Sequence, residues 1–357
     1  MISEPDRRPS LLAVKLGALI RGRWGTVGDT AEPGSLPGGA SLVDRASGRT
    51  WALLTDSGET GAAEGNAERR VGAALALAYR AATPGVHLIT EDADAAGVVA
   101  RRASLFAPAP TVWRSDGPTL HQVAPVPAAA TPVPAPGAEL YRPVLREAGL
   151  TPVVEGGVLI GEYLGLEVGR VIAEPDGTAH LEAGVGRIDR EAGSVVWGEL
   201  GEVASLARVR DVVAAHRNPT AERHPLNQLV AERWLRSIVV AQPALAGAAS
   251  LRPVGSALAR RNLRETAVAT AVGKDPQGTP VVVTCSTGVD LDLVPSAADD
   301  RLAHAPDARL VLVLPARDAV AITRDLASRL VRPAEVVTVA ADWRTLTPSG
   351  APGAECR

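Results

Sequence analysis

Lysine is nearly missing from this 357-residue chain: Lys15 and Lys274 are the only two, and arginine supplies the rest of the 37 basic residues. That bias is what a high-GC bacterial genome of actinobacterial type imposes on codon choice, so it says little about ligands. Aromatics are scarce as well, with one Phe, three Tyr and six Trp. The cores must be built from Val, Leu, Ile and Ala, and a ring platform for stacking nucleobases is hard to assemble. The two cysteines, Cys285 and Cys356, lie far apart, which argues against a disulfide framework and suits a reducing cytoplasm. No apolar run reaches the ~18 residues a membrane span needs, so no membrane partner is expected. Arg7 and Arg8 precede a short apolar run in the manner of an export signal. Lys15 interrupts that run, Arg21 and Arg23 follow it, and no A-x-A site appears, so a folded element is expected there. Walker A, G-x-G-x-x-G, G-x-S-x-G and H-E-x-x-H patterns are all missing.

With 46% hydrophobic and 22% charged residues, the chain has material for two compact domains. Strand patterns at 50–55, 86–90 and 111–114 alternate with helical patterns at 68–82 and 92–104, the second opening on Asp92 as N-cap; the stretch 25–39 reads as loop. A small parallel βαβ domain over 1–123 is expected. The segment 124–138 is almost wholly Pro, Ala and Val and reads as a semi-rigid linker. Residues 139–342 then form a second α/β domain, with a mixed sheet and a β-hairpin, and 343–357 a flexible tail. In that domain helices are expected at 139–148, 190–216, 226–240 and 318–331, and strands at 152–160, 280–285, 309–314 and 335–339.

The hairpin, 162–189, is the most informative stretch. Pro175-Asp176-Gly177 signals a tight turn, because a type I′ turn needs positive φ at both central residues. With Pro175 opposite Thr178, alternation puts Leu164, Leu166, Val168 and Ile172 on one face with Leu181, Ala183 and Val185. The other face carries Glu167, Gly169 and Val171 beside His180, Glu182, Gly184 and Gly186. One side is core, and the other is acidic and glycine-lined. In this register Glu182 faces Val171, roughly 13 Å along the ribbon from Glu167.

A helix followed by strands with Glu167 and Glu182 on neighbouring strands resembles the core of the PD-(D/E)XK nuclease superfamily, over residues 139–216. The resemblance implies a metal-dependent phosphodiesterase in which Glu167 and Glu182 hold Mg²⁺ or Mn²⁺. The family's tripeptide is here Glu182-Ala183-Gly184, so its lysine is missing, and Arg187 is the nearest cation to stand in for it as the third catalytic residue.

Between 208 and 264 lie ten arginines, at 208, 210, 217, 223, 233, 236, 252, 260, 261 and 264. Only Asp211, Glu222 and Glu232 oppose them, a local charge of about +7 in a chain of net charge −3. Arg208, Arg210, Arg217, Arg223, Arg233, Arg236, Arg260, Arg261 and Arg264 are therefore candidates for binding a nucleic acid or an acidic protein. His216 and His224, eight residues apart with prolines between them, match no metal-ligand template. Ser286, Thr287, Gly288, Asp290 and Asp292 follow an apolar strand, where open α/β sheets bind ligands, and Cys285 ends that strand. Asp290 to Val294 also resembles the D-x-D-x-V motif of haloacid-dehalogenase-like phosphotransferases. A binding protein with a nuclease-like second domain is the reading these features favour, with a phosphodiesterase or a protein-interaction module as alternatives.

Overall fold

The computed structural model describes residues 4–55, 67–186, 201–219, 224–260, 262, 263 and 265–347. The fold is mixed α/β with three sheets, and the chain divides into two compact units. The first takes in residues 1–128, 290–299 and 320–335, and the second 129–289, 300–319 and 336–357.

In the first unit the expected parallel core is present. β3 (Arg49–Leu54), β4 (Gly85–Thr90) and β5 (Thr111–Asp116) run parallel. The connecting segments contain α2 (Val71–Arg80) and α3 (Ala93–Ser104). Asp92 caps α3, its carboxylate accepting the Asp94 and Ala95 amides at 2.8 and 3.1 Å. Antiparallel strands extend the sheet on both sides: β1 (Glu32–Leu36) and β2 (Gly39–Asp44) at one edge, β6 (Thr119–Gln122) at the other. β1 lies where sequence alone reads loop; its Pro33 and Gly34 suit an exposed edge. Helix α1 (Glu4–Trp24) buries Leu16, Leu19 and Ile20 in a cluster with Trp51, Leu53 and Ile89. Trp24, Trp51 and Trp113 gather round His87, whose Nδ1 accepts the Trp113 indole N–H at 3.3 Å. Burial pushes His87 down to about 4, which keeps it a neutral acceptor.

The second unit begins with the short helices α4 (Pro136–Glu139) and α5 (Arg142–Glu147). A four-stranded antiparallel meander follows: β7 (Thr151–Glu155), β8 (Val158–Tyr163), β9 (Leu166–Ala173) and β10 (Ala179–Ala183). Then come α6 (Glu202–His216), α7 (Pro225–Gln228) and α8 (Ala231–Ala241). The last sheet has the order β11 (Ser250–Val254), β12 (Ala269–Lys274), β13 (Pro280–Cys285), β14 (Arg309–Pro315), β15 (Glu335–Val339). β13 and β14 are parallel; in sequence α9 (Leu293–His304), whose residues 293–299 count with the first unit, lies between them, and α10 (Ala321–Ser328), also of the first unit, precedes β15. The expected helix over 190–216 is described only from Glu202, because 187–200 lie outside the described residues.

Candidate functional site: a carboxylate–guanidinium network

Two features of the ribbon correct the sequence reading. The turn at Asp176-Gly177 has three loop residues, with Glu174 opposite Thr178 and Gly177 at φ +88°, so Glu182 faces Arg170. Further back, the expected continuous strand breaks at Leu164-Gly165, a two-residue turn with both φ positive, between β8 and β9. Pairing then slips by one residue: Gly161 faces Gly169, but Glu162 faces Glu167. The extra residue, Val168, is a β-bulge, and it carries Glu167 off the glycine face.

The two faces of the meander therefore differ from the predicted ones. The glycines are where the helices close in. A Cβ at Gly169 would lie 2.5 Å from Leu206 of α6, and one at Gly161 2.7 Å from Leu145 of α5. The opposite face, by alternation through the bulge, carries Glu155, Glu162, Glu167, Arg170 and Glu182.

That acidic face already has its occupant. Arg233 of α8 pairs with Glu155 and lies 3.4 Å from Glu162; Arg236, one helical turn on, pairs with the other oxygen of Glu162. Arg260 pairs with Glu232 and approaches Glu155 at 4.0 Å. Glu167 is held bidentately by Arg170, at 2.8 and 3.0 Å. The spacing of Arg233 and Arg236 sets both on one side of the helix, aimed at the strands. So the arginine-rich segment and the acidic ribbon, which look like two separate invitations to outside partners, neutralise each other. Beside them, a cavity of about 10 Å³ lined by Glu155, Arg233, Ser256 and Arg260 has room for a single water. Ser256 donates to the buried Asp300 at 2.8 Å.

The other candidate residues fall as follows. Arg210 donates to the Ala148 carbonyl and to Asp211, and Arg217 to four backbone carbonyls. Arg208 on α6 and Arg252 on β11 are exposed. Arg187, Arg223, Arg261 and Arg264 lie outside the described residues. His216 and His224 stack ring on ring at 4.1 Å, and His224 Nδ1 accepts the Leu226 amide.

Glu167 and Glu182 are not brought together on a metal. Glu182 sits opposite Arg170, ~10 Å along the ribbon from Glu167, and the Arg170 guanidinium occupies both oxygens of Glu167. A Mg²⁺ ion needs its oxygens at about 2.1 Å, so these residues do not fit the nuclease metal. Among the described residues no group of three or more His, Cys, Asp or Glu is placed to hold one.

The strand-end candidates also separate. Ser286, Thr287 and Gly288 belong to the second unit, and Asp290 and Asp292 to the first. The Gly288 amide donates to Asp318 at 2.8 Å, and the Ser286 hydroxyl is buried without a hydrogen-bond partner. Cys285 is fully buried, and burial pushes its thiol up to about 12, so it is no nucleophile at neutral pH. Asp292 pairs with Arg102 and accepts Ser296. Asp290, which accepts the Asp292 amide at 2.8 Å, is raised to about 6 by burial and by the Asp292 charge. This network around Arg101 and Arg102 escapes sequence reasoning because its charges come from segments some 190 residues apart.

No protein-family model, curated protein or solved structure matches this chain.

Proposed function

We propose that this is a cytoplasmic binding protein that engages a partner protein through its surface, and that the nuclease-like charge pattern of its second unit serves structure rather than catalysis. The observation that supports this reading is the pairing of Glu155 and Glu162 with the buried Arg233 and Arg236. Carboxylates tied to internal guanidiniums are poor ligands for a catalytic cation, and guanidiniums tied to internal carboxylates are poor ligands for phosphate.

Affinity capture with the full chain tests the idea. Retention of a protein that survives nuclease treatment supports it; capture only of nucleic acid, lost as salt rises, replaces it with the nucleic-acid reading. That alternative draws on the exposed Arg208 and Arg252, together with Arg223, Arg261 and Arg264. The phosphodiesterase reading is checked by Mg²⁺- and Mn²⁺-dependent cleavage, where activity lost in Glu182→Ala would restore it.

A further inference from the structure

Two residues of the second unit hold a left-handed backbone that side chains rarely adopt: Leu164 at φ +46° and Val230 at φ +42°. Leu164 opens the turn between β8 and β9, and Val230 immediately precedes α8. For a β-branched residue such as Val230 this conformation is a pronounced outlier. Yet both carbonyls are held by one side chain. Arg217, at the end of α6, donates Nε to the Leu164 carbonyl at 2.9 Å and Nη2 to that of Val230 at 3.3 Å. Its Nη1 serves Leu229 at 3.0 Å and Leu226 as well. The guanidinium carbon lies 4.9 Å from the centroid of the Trp234 ring, and the residue is only 1% exposed. The turn also presses on the helix it faces: a Cβ at Gly165 would stand 2.3 Å from the Arg233 carbonyl carbon.

We infer that Arg217 is a latch that holds these two strained residues and thereby fixes the start of α8. The start of α8 sets where Arg233 and Arg236 reach the acidic face. With the latch closed, Glu155 and Glu162 have their arginine partners within the unit. When it releases, Leu164 and Val230 relax toward ordinary backbone conformations, the segment 224–236 opens locally, and the acidic face of the meander meets solvent or a cationic partner.

Hydrogen exchange of the full chain, read by mass spectrometry, tests the latch. Arg217→Lys keeps the charge but not the planar fork of donors. Amides over 226–236 should exchange at least about tenfold faster in it, with α2 of the first unit unchanged. Leu164→Asn supplies the Asn-Gly pair that a left-handed two-residue turn prefers. It should slow exchange in the same segment, and in the double variant it should shrink the effect of Arg217→Lys. Unchanged exchange over 226–236 in Arg217→Lys, equal acceleration in both units, or strictly additive effects would each overturn the latch. Should Arg217→Lys fail to fold, Leu164→Asn decides alone, and no slowing at 226–236 counts against the inference.

Discussion

Each unit contains a buried carboxylate–guanidinium network, and the two are built in opposite ways. In the first unit the arginines are consecutive residues of α3, and their acids, Asp292 just before α9 and Asp299 within it, come from one short segment. Arg101 grips Asp299 with two hydrogen bonds, at 2.8 and 3.0 Å, and Arg102 reaches Asp292 at 3.0 Å. Within this cluster Asp290 carries a raised pKa, from burial first and then from the Asp292 charge. In the second unit the acids are spread over three strands and α8, each with an arginine beside it. There the cost appears as geometry: Glu162 Oε1 and Arg233 Nη1 are buried, 3.4 Å apart, and neither makes a hydrogen bond. A compact network is limited by the burial of its charges, a dispersed one by its alignment.

The largest test of this contrast is Glu162→Ala. It removes the carboxylate that two buried guanidiniums share, leaving Arg233 with Glu155 and Arg236 with the Val254 carbonyl, and a loss of about 3–5 kcal/mol in urea unfolding is expected. Asp299→Ala strands chiefly Arg101, which keeps the Pro127 carbonyl as a partner at 3.2 Å. Its cost should be smaller, about 2–3 kcal/mol. Equal losses from the two variants would erase the distinction between dispersed and compact networks.

Asp290→Asn should move stability the other way. The amide oxygen still accepts the Asp292 N–H, and a buried charge disappears, so a gain of about 1–2 kcal/mol at pH 7 is expected. The sign of the pH dependence follows from the raised pKa. Between the ordinary 3.8 and about 6 the folded state holds a proton that the unfolded state releases, so Asp290 favours folding in acid and that contribution is lost as pH rises through 6. Unfolding midpoints at pH 5 and 7.5 should therefore differ less in Asp290→Asn than in the wild type. A steeper difference in the variant would mean that another group carries the effect.

The smallest effect is expected at Glu182→Ala. This half-buried side chain lies on the last strand of the acidic face, 3.8 Å from His180. Its loss should change stability by no more than about 0.5 kcal/mol. A loss above about 1 kcal/mol would extend the second network along the whole ribbon.

How much of this was legible depended on how local each signal was. The short apolar runs at 50–55, 86–90 and 111–114 identify β3, β4 and β5, because a parallel strand buried on both faces is marked by its own residues. β1 carries Glu-Pro-Gly-Ser-Leu and shows no such mark. The glutamates of the ribbon and the arginines after 208 both stand out in the sequence. That they are each other's partners does not, since the pairs Arg236–Glu162 and Arg233–Glu155 span 74 and 78 residues. The bulge at Val168 defeats alternation outright, because one extra residue moves Glu167 to the other face while leaving Gly169 in place.

The tryptophans give the two units separate optical signatures. Trp24, Trp51 and Trp113 surround a neutral imidazole in the first unit, while Trp234 and Trp343 cross edge to face in the second. Trp24 rides on α1 and the other two indoles of its cluster on the sheet, so undocking of that helix alone would alter the emission of the first group and spare the second. Protonation of His87 near pH 4 would place a quenching cation among the same three rings. A chain with so few aromatics thus carries its own paired fluorescence reporters, one for each unit.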